Sequence, residues 1–280
     1  MTGLDAILNN LWVIFLLLTL VYPRFQQSAL TRSRQRELQR LGEKRGSNVI
    51  TLIHRQETIS LLGVPISRYI DIDDSEEVLR AIRLTPPETP IDIIIHTPGG
   101  IALAATQIAF ALEAHRGRKT VMVPHYAMSG GTLIAMAADE IMMDANAVLG
   151  PVDPQLGDQQ GMYAASSILK VVEKKKVDEL DDRTLYLAEE SKKAIDQMKE
   201  TVRNLVKDIH DEEATERIVE ELVSGKYTHD FPITAKDTCD LLGECVKTDL
   251  PREVYTLMSL YKMENRPRRP SVEFVPLTHR

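Results

Sequence analysis

Two glycine turns hold the residue types from which a hydrolytic site could be built. The first, His96-Thr97-Pro98-Gly99-Gly100, follows a β-branched run at 91–95 and precedes an Ala/Leu-rich run at 102–114. Paired glycines there can leave backbone N–H groups free beside a helix start, a cradle for an anion or a developing oxyanion. The second, His125-Tyr126-Ala127-Met128-Ser129-Gly130-Gly131, follows a strand-like run at 120–123 and opens a small-residue helix over 132–138. A serine so placed is exposed, and the Gly130 N–H can serve the same oxyanion. Taken alone, Ser129 reads first as a helix N-cap. The turn is not the G-x-S-x-G elbow of an α/β-hydrolase, because Ala127 holds the first glycine's place.

Other chemistries find little support. The chain carries no G-x-x-x-x-G-K-[ST] or G-x-G-x-x-G, so no nucleotide cofactor is expected. No His/Cys/Asp cluster has zinc spacing, so no metal is expected, and Cys239 and Cys245 read as core thiols. His96 and His125 flank the two turns and read as structural imidazoles. Residues 46–261 hold 22 basic against 36 acidic side chains, a poor surface for phosphate backbones, so nucleic acid is not an expected partner. With 43% hydrophobic and 27% charged residues over 280 positions, disorder and collagen-like repeats are excluded.

The elements that must position these turns alternate in kind. Short β-branched runs at 49–53 and 91–95 read as buried strands and 120–123 and 140–143 as further short strands, with helical spacing between them, which suggests parallel βα units. Asp74 and Glu77 form a capping-box-like pair before Val78, Leu79 and Ile82. A long amphipathic helix is expected over 192–209 and another over 214–223. Thr234 and Asp237 should cap a helix over 235–242 closed by Gly243, and Pro251 should open a last helix to about 263.

The N-terminus is of another kind. Residues 11–22 are apolar except for Thr19, and extension to Leu4 gives 19 residues. Such a helix spans about 28 Å, against a hydrocarbon core of about 30 Å. No Lys or Arg precedes the run, whereas Arg24, Arg32, Arg34, Arg36, Arg40 and Lys44 follow it, which predicts a single-pass anchor with the rest cytoplasmic. The expected organisation is an anchor over 1–23, a basic juxtamembrane segment over 24–46, one domain over 47–263 and a flexible tail over 264–280.

Strand–PGG–helix–strand–SGG–helix, continued by Ala137-Ala138-Asp139-Glu140-Ile141 and Gly150-Pro151, resembles the Clp-protease/crotonase fold. Within it the chain is most similar to signal peptide peptidase A-like enzymes, and specifically to the serine dehydrogenase proteinase family, over about residues 48–247, including the run from Ser224 to Ile233. The resemblance implies a membrane-anchored, ATP-independent serine peptidase acting on peptides or membrane-protein segments, as a homo-oligomer without cofactor. Ser129 would be the nucleophile, with the N–H groups of Gly100 (or Gly99) and Gly130 around the oxyanion.

The base stays open. A Clp-type subunit carries a His downstream of its Ser, where this chain reads Gly150-Pro151-Val152-Asp153-Pro154-Gln155. Signal peptide peptidase A uses a Lys farther on, a window holding Lys170, Lys174, Lys175 and Lys176. The dyad amine is assigned to Lys176, with Lys175 and Lys174 as neighbouring alternatives. Keeping a lysine neutral near pH 7, against an ordinary value of about 10.4, costs about 4 kcal/mol and requires burial or cationic neighbours. His229, followed by Asp230, is the alternative base. Two rival functions share the fold: a crotonase-type acyl-CoA enzyme and a catalytically inactive scaffold.

Overall fold

The computed structural model describes residues 15, 25, 28–54, 59–61, 64–66, 69–158 and 161–261. A helix over 28–45 (α1) leads into β1 (Asn48–Ile53), β2 (Ile59–Leu61), β3 (Val64–Ile66) and α2 (Ile72–Leu84). There follow β4 (Ile91–His96), α3 (Ala102–Glu113), β5 (Lys119–Val123), β6 (Tyr126–Ala127), α4 (Gly130–Met136), β7 (Glu140–Met143) and β8 (Val148–Leu149). A hairpin, β9 (Gln155–Asp158) and β10 (Gly161–Ala164), precedes α5 (Ala165–Lys174), α6 (Asp182–Val206) and α7 (Glu212–Val223). The described chain closes with β11 (Ile233–Thr234), α8 (Ala235–Leu242), β12 (Val246–Lys247) and α9 (Arg252–Ser259).

Five strands form one parallel sheet in the order β1-β4-β5-β7-β12. Its interior strand β4, Ile-Asp-Ile-Ile-Ile-His, is buried at all six positions, as a parallel strand covered on both faces must be. Alternate residues divide between two cores. Ile93, Ile95, Val121, Val123, Ile141 and Met143 join the helical layer that includes Ile108, Leu133 and Ile218. Ile94, Met122 and Met142 join Leu41, Val254 and Leu257 on the other face.

That second face gives α1 a structural role. Leu41 is 1% exposed in the core beneath α9. Arg34 donates to the Leu260 carbonyl at 2.9 Å and lies 4.0 Å over the Tyr261 ring, and Arg45 reaches the buried Asp92 carboxylate. The basic segment expected as a juxtamembrane stalk is therefore, from residue 28, part of the domain's packing. Apart from Phe15, the apolar run 4–22 lies outside the described residues, as does the tail 264–280. No helix among the described residues is long and apolar enough to cross a membrane.

Three boundaries differ from the sequence reading. The N-cap of α2 is Asp71 with Asp74 completing the box, one turn earlier than the Asp74/Glu77 pair, because Glu77 turns outward to Arg80. Asp181 caps α6, so the long helix begins ten residues before Lys192. The helix after Ser129 starts at Gly130. The caps of α8 are as expected: Thr234 and Asp237 at one end, Gly243 at φ +73° at the other.

Candidate active site

Both glycine turns leave the carboxyl ends of neighbouring parallel strands, where open α/β sheets present their ligand crevices. The chain after β4 turns through Pro98-Gly99-Gly100 into α3, and the chain after β5 passes through β6 into Ser129. The turns touch. A Cβ on Gly99 would stand 2.7 Å from Ser129 Cβ and 3.3 Å from Gly130 N, and one on Gly130 would stand 3.7 Å from Gly100 N.

Ser129 adopts φ 50°, ψ −114°, and is the one non-glycine residue with positive φ among the described residues. Such a conformation costs on the order of 1–3 kcal/mol and persists only where the surroundings impose it. Here Gly131 N–H donates to Met128 O at 2.7 Å and Leu133 N–H to Ser129 O at 3.1 Å, locking the turn. The N-cap reading fails on geometry: the Ser129 side chain makes no capping hydrogen bond. Its hydroxyl is left available at a half-buried position.

The glycine amides divide. Gly99 N–H is given to Thr97 Oγ1 at 3.2 Å, which removes it from the expected oxyanion donors. Among the described residues, neither Gly100 nor Gly130 donates its N–H within the fold. Those two adjacent amides can receive a developing oxyanion next to Ser129.

A second sheet brings two further residues to this end of the molecule. Strand β8 runs parallel to β6 and antiparallel to β11, pairing Leu149 with both Ala127 and Ile233. Ser129 lies two residues past Ala127, Asp153 four past Leu149, and His229 four before Ile233, so all three leave the same end of this sheet. His229 Nδ1 is 2.8 Å from Asp153 Oδ1; the Asp153 side chain is 2% exposed and that of His229 35%. Gln155 Nε2 donates to the other carboxylate oxygen at 2.7 Å. Thr132, fully buried in the first turn of α4, ties this segment to the serine turn: its hydroxyl accepts Gly150 N–H at 3.1 Å and lies 2.8 Å from Ala127 O.

The arrangement holds the imidazole by Nδ1 on a buried carboxylate and leaves Nε2 without a partner among the described residues. With Nδ1 held by the carboxylate, Nε2 is the ring nitrogen left to accept a proton, the tautomer a general base requires. The sequence reading of the 150–155 stretch rests on its lack of a histidine and assigns Asp153 no role. A lone acid between Pro151 and Pro154, in an apolar stretch, was the available signal.

The lysines are placed differently. Lys174 ends α5, and Lys175 and Lys176 follow it, all three exposed, as is Lys170. The burial that a neutral lysine requires is missing there. His96 and His125 stack at 5.6 Å with Tyr126 edge-on to His125, a ring cluster beside the serine turn. Among the described residues no group of His, Cys, Asp or Glu could hold a metal ion. The crotonase alternative would need an acid/base carboxylate in the cleft; Asp153 is engaged by His229 and Gln155 instead.

A family profile described as ClpP-like SDH-type serine proteinase matches residues 1–280. The chain belongs to that family. Two uncharacterized proteins of Methanocaldococcus jannaschii are similar over nearly their whole length. One is 53% identical over 278 residues, covering 99% of this chain and 95% of its own. The other is 47% identical over 279 residues, covering 100% and 92%. Among solved structures, a serine-to-alanine mutant of the membrane-bound stomatin-specific protease 1510-N is 18% identical with a TM-score of 0.46, covering 76% of this chain and 82% of that one. ClpP1 from Listeria monocytogenes is 13% identical with a TM-score of 0.43, covering 73% and 91%.

Proposed function

We infer that this family member is a serine peptidase in which Ser129 attacks the scissile carbonyl, His229 takes its proton, and Asp153 holds the imidazole. Attack forms the Ser129 Oγ–C bond and places the charge on the carbonyl oxygen, between the N–H groups of Gly100 and Gly130. His229 then gives its proton to the leaving amine, and water repeats the sequence to release the acyl group. The reading rests on one observation above others. His229 is fixed by Nδ1 to a buried carboxylate at the same sheet end from which the strained Ser129 turn departs.

The Ser129–Lys176 dyad, with Lys175 or Lys174 in its place, is the second arrangement, favoured by position along the chain rather than by burial. An alkyl fluorophosphonate probe and single variants separate the two. Ser129→Ala should abolish labelling. His229→Ala should reduce it about a thousandfold or more, whereas Lys174→Met, Lys175→Met and Lys176→Met should label like the native protein. Labelling lost in a lysine variant and kept in His229→Ala would reverse the assignment.

Attachment to a membrane through residues 4–22, with the domain on the cytoplasmic side and peptides or membrane-protein segments as substrates, belongs to the same reading. It is supported by the apolar run and the basic residues after it. Assembly with further copies of the chain is supported by the exposed apolar side chains of Met162, Val171, Val177 and Tyr186, around β10 and α5.

A further inference from the structure

Thr97 is shared by both turns of the site. It is fully buried. Its N–H donates to Tyr126 O at 3.2 Å and its carbonyl accepts from Met128 N–H at 3.0 Å, so the strand leading into Ser129 hangs on its backbone. Its hydroxyl accepts Gly99 N–H at 3.2 Å, and a Cβ on Gly131 would lie 2.6 Å from its methyl. Gly99 is also held from its other side, its carbonyl accepting Ile70 N–H at 2.7 Å. With both polar groups of Gly99 engaged, the next amide, that of Gly100, is the one left to face the cleft.

The orientation of the Thr97 hydroxyl is set by His54, just past β1 and 6% exposed. His54 Nδ1 is 3.0 Å from Thr97 Oγ1, and Nε2 is 3.1 Å from Asp74 Oδ2. With the Nε2 proton directed at the carboxylate, Nδ1 accepts from the Thr97 hydroxyl, which also lies 3.3 Å from Gly99 O. The hydroxyl lone pairs then remain for Gly99 N–H. The carboxylate itself is fixed, since Oδ2 also accepts Asp71 N–H at 3.1 Å in the capping box of α2. A continuous path of hydrogen bonds runs from the start of α2 to the glycine turn.

We propose that His54 and Thr97 are positioning residues for the oxyanion-binding turn, the Asp74–His54–Thr97 path holding Gly99 so that the Gly100 amide stands beside Gly130 and Ser129. The proposal rests on the serine-peptidase reading. Neither side chain meets substrate; both act through the backbone of Gly99. A misplaced oxyanion donor weakens the transition state and not the bound substrate, so the signature is a fall in kcat with KM kept.

The test uses the full chain in detergent, p-nitrophenyl butyrate as an activated ester that passes through the same oxyanion, and the fluorophosphonate rate. Thr97→Val keeps the shape and removes the hydroxyl; it should lower kcat about 10- to 100-fold with KM within about twofold, and slow labelling in parallel. Thr97→Ser restores the hydroxyl and should recover kcat to within about threefold. His54→Ala should match Thr97→Val, and the double variant should lose little more, because both act through one hydroxyl. Should Thr97→Val fail to fold, His54→Asn, whose amide oxygen can take the Nδ1 place, is compared with His54→Ala, and the former should keep the higher kcat. Native kcat in Thr97→Val or His54→Ala, with only the melting temperature moved, overturns the proposal and leaves the peptidase reading standing. A native protein that neither cleaves the ester nor takes the probe overturns both.

Discussion

A Cβ on Gly99 would stand 2.7 Å from the Cβ of Ser129, and the Gly99 backbone holds φ +102°. The glycine is thus required twice, by the approach of the serine turn and by a backbone region that side chains rarely adopt. Gly99→Ala should push the two turns apart and strain the loop together. We expect peptide or ester hydrolysis to fall about 100-fold or more, with a loss of about 1–3 kcal/mol in chemical denaturation. Gly46, also at positive φ (+64°) but with open space around its Cβ position, is the control. Gly46→Ala should cost stability through φ alone and leave the rate at its native value.

The fold was legible where period and punctuation agree. The parallel strands were readable because both faces are buried, which makes Ile91 to Ile95 a continuous β-branched run apart from Asp92. The caps of α8 were readable because Thr234, Asp237 and Gly243 act within one helix. The second sheet was not. Its strands β6, β8 and β11 have two residues each, too few to show any period, and with the Val152 N–H bond to Leu222 O they bring Asp153 near His229 across 76 positions. Pairing of that kind is tertiary, whereas the lysines at 174–176 stand out by their distance along the chain alone. Ser129 and the glycines were legible as types and places. That Gly99 spends its amide on Thr97 is a side-chain hydrogen bond which no spacing encodes.

The loop bearing His229 is held by Glu221. Its carboxylate accepts from Lys226 Nζ at 2.8 Å and from the Tyr227 hydroxyl, and Tyr227 stacks on Phe231 at 4.2 Å. The Lys226 and then the Tyr227 hydrogen bonds hold the Glu221 carboxyl below its usual range. A depressed carboxylate stabilises the fold above its unfolded pKa of about 4.3, and that contribution is lost as pH falls through the lower folded value. Glu221→Gln should therefore melt about 1–3 °C below the native protein at pH 7, with the gap closing toward pH 3. Parallel melting curves across that range would show that the ion pair does not stabilise the loop.

Because Leu41 is 1% exposed beneath α9 and Arg45 meets Asp92, the place of an N-terminal truncation matters. A chain starting at residue 28 keeps the described span of α1, 28–45; one starting at 46 strips Leu41 from the core and leaves the Asp92 carboxylate buried without its guanidinium. Removing one partner of a buried pair costs about 3–5 kcal/mol, and a large core side chain about 2–5 kcal/mol. The chain from 28 should be monodisperse without detergent and melt like the full chain. The chain from 46 should unfold at least about 10 °C lower or aggregate. Equal melting of the two would show that α1 is dispensable, and a chain from 28 that still needs detergent would locate the apolar surface outside residues 4–22.

The last prediction concerns Asp153, which accepts from His229 Nδ1 on one oxygen and from Gln155 on the other. Asp153→Asn preserves volume and burial but can present an N–H where Oδ1 was. The imidazole then keeps its proton on Nε2, the atom that must accept from Ser129, and the base is lost without loss of the residue that carries it. Hydrolysis of p-nitrophenyl butyrate should fall about 10³- to 10⁴-fold at pH 7, a magnitude typical of the wrong tautomer in such triads. The fluorophosphonate rate should fall in step, since acylation by Ser129 needs the same base. Asp153→Glu, which keeps the charge but lengthens the arm, should retain more activity than Asp153→Asn. If Asp153→Asn cleaves the ester at the native rate, the carboxylate is only a structural acid between two prolines and His229 is not the base. The lysine variants then become the deciding measurement.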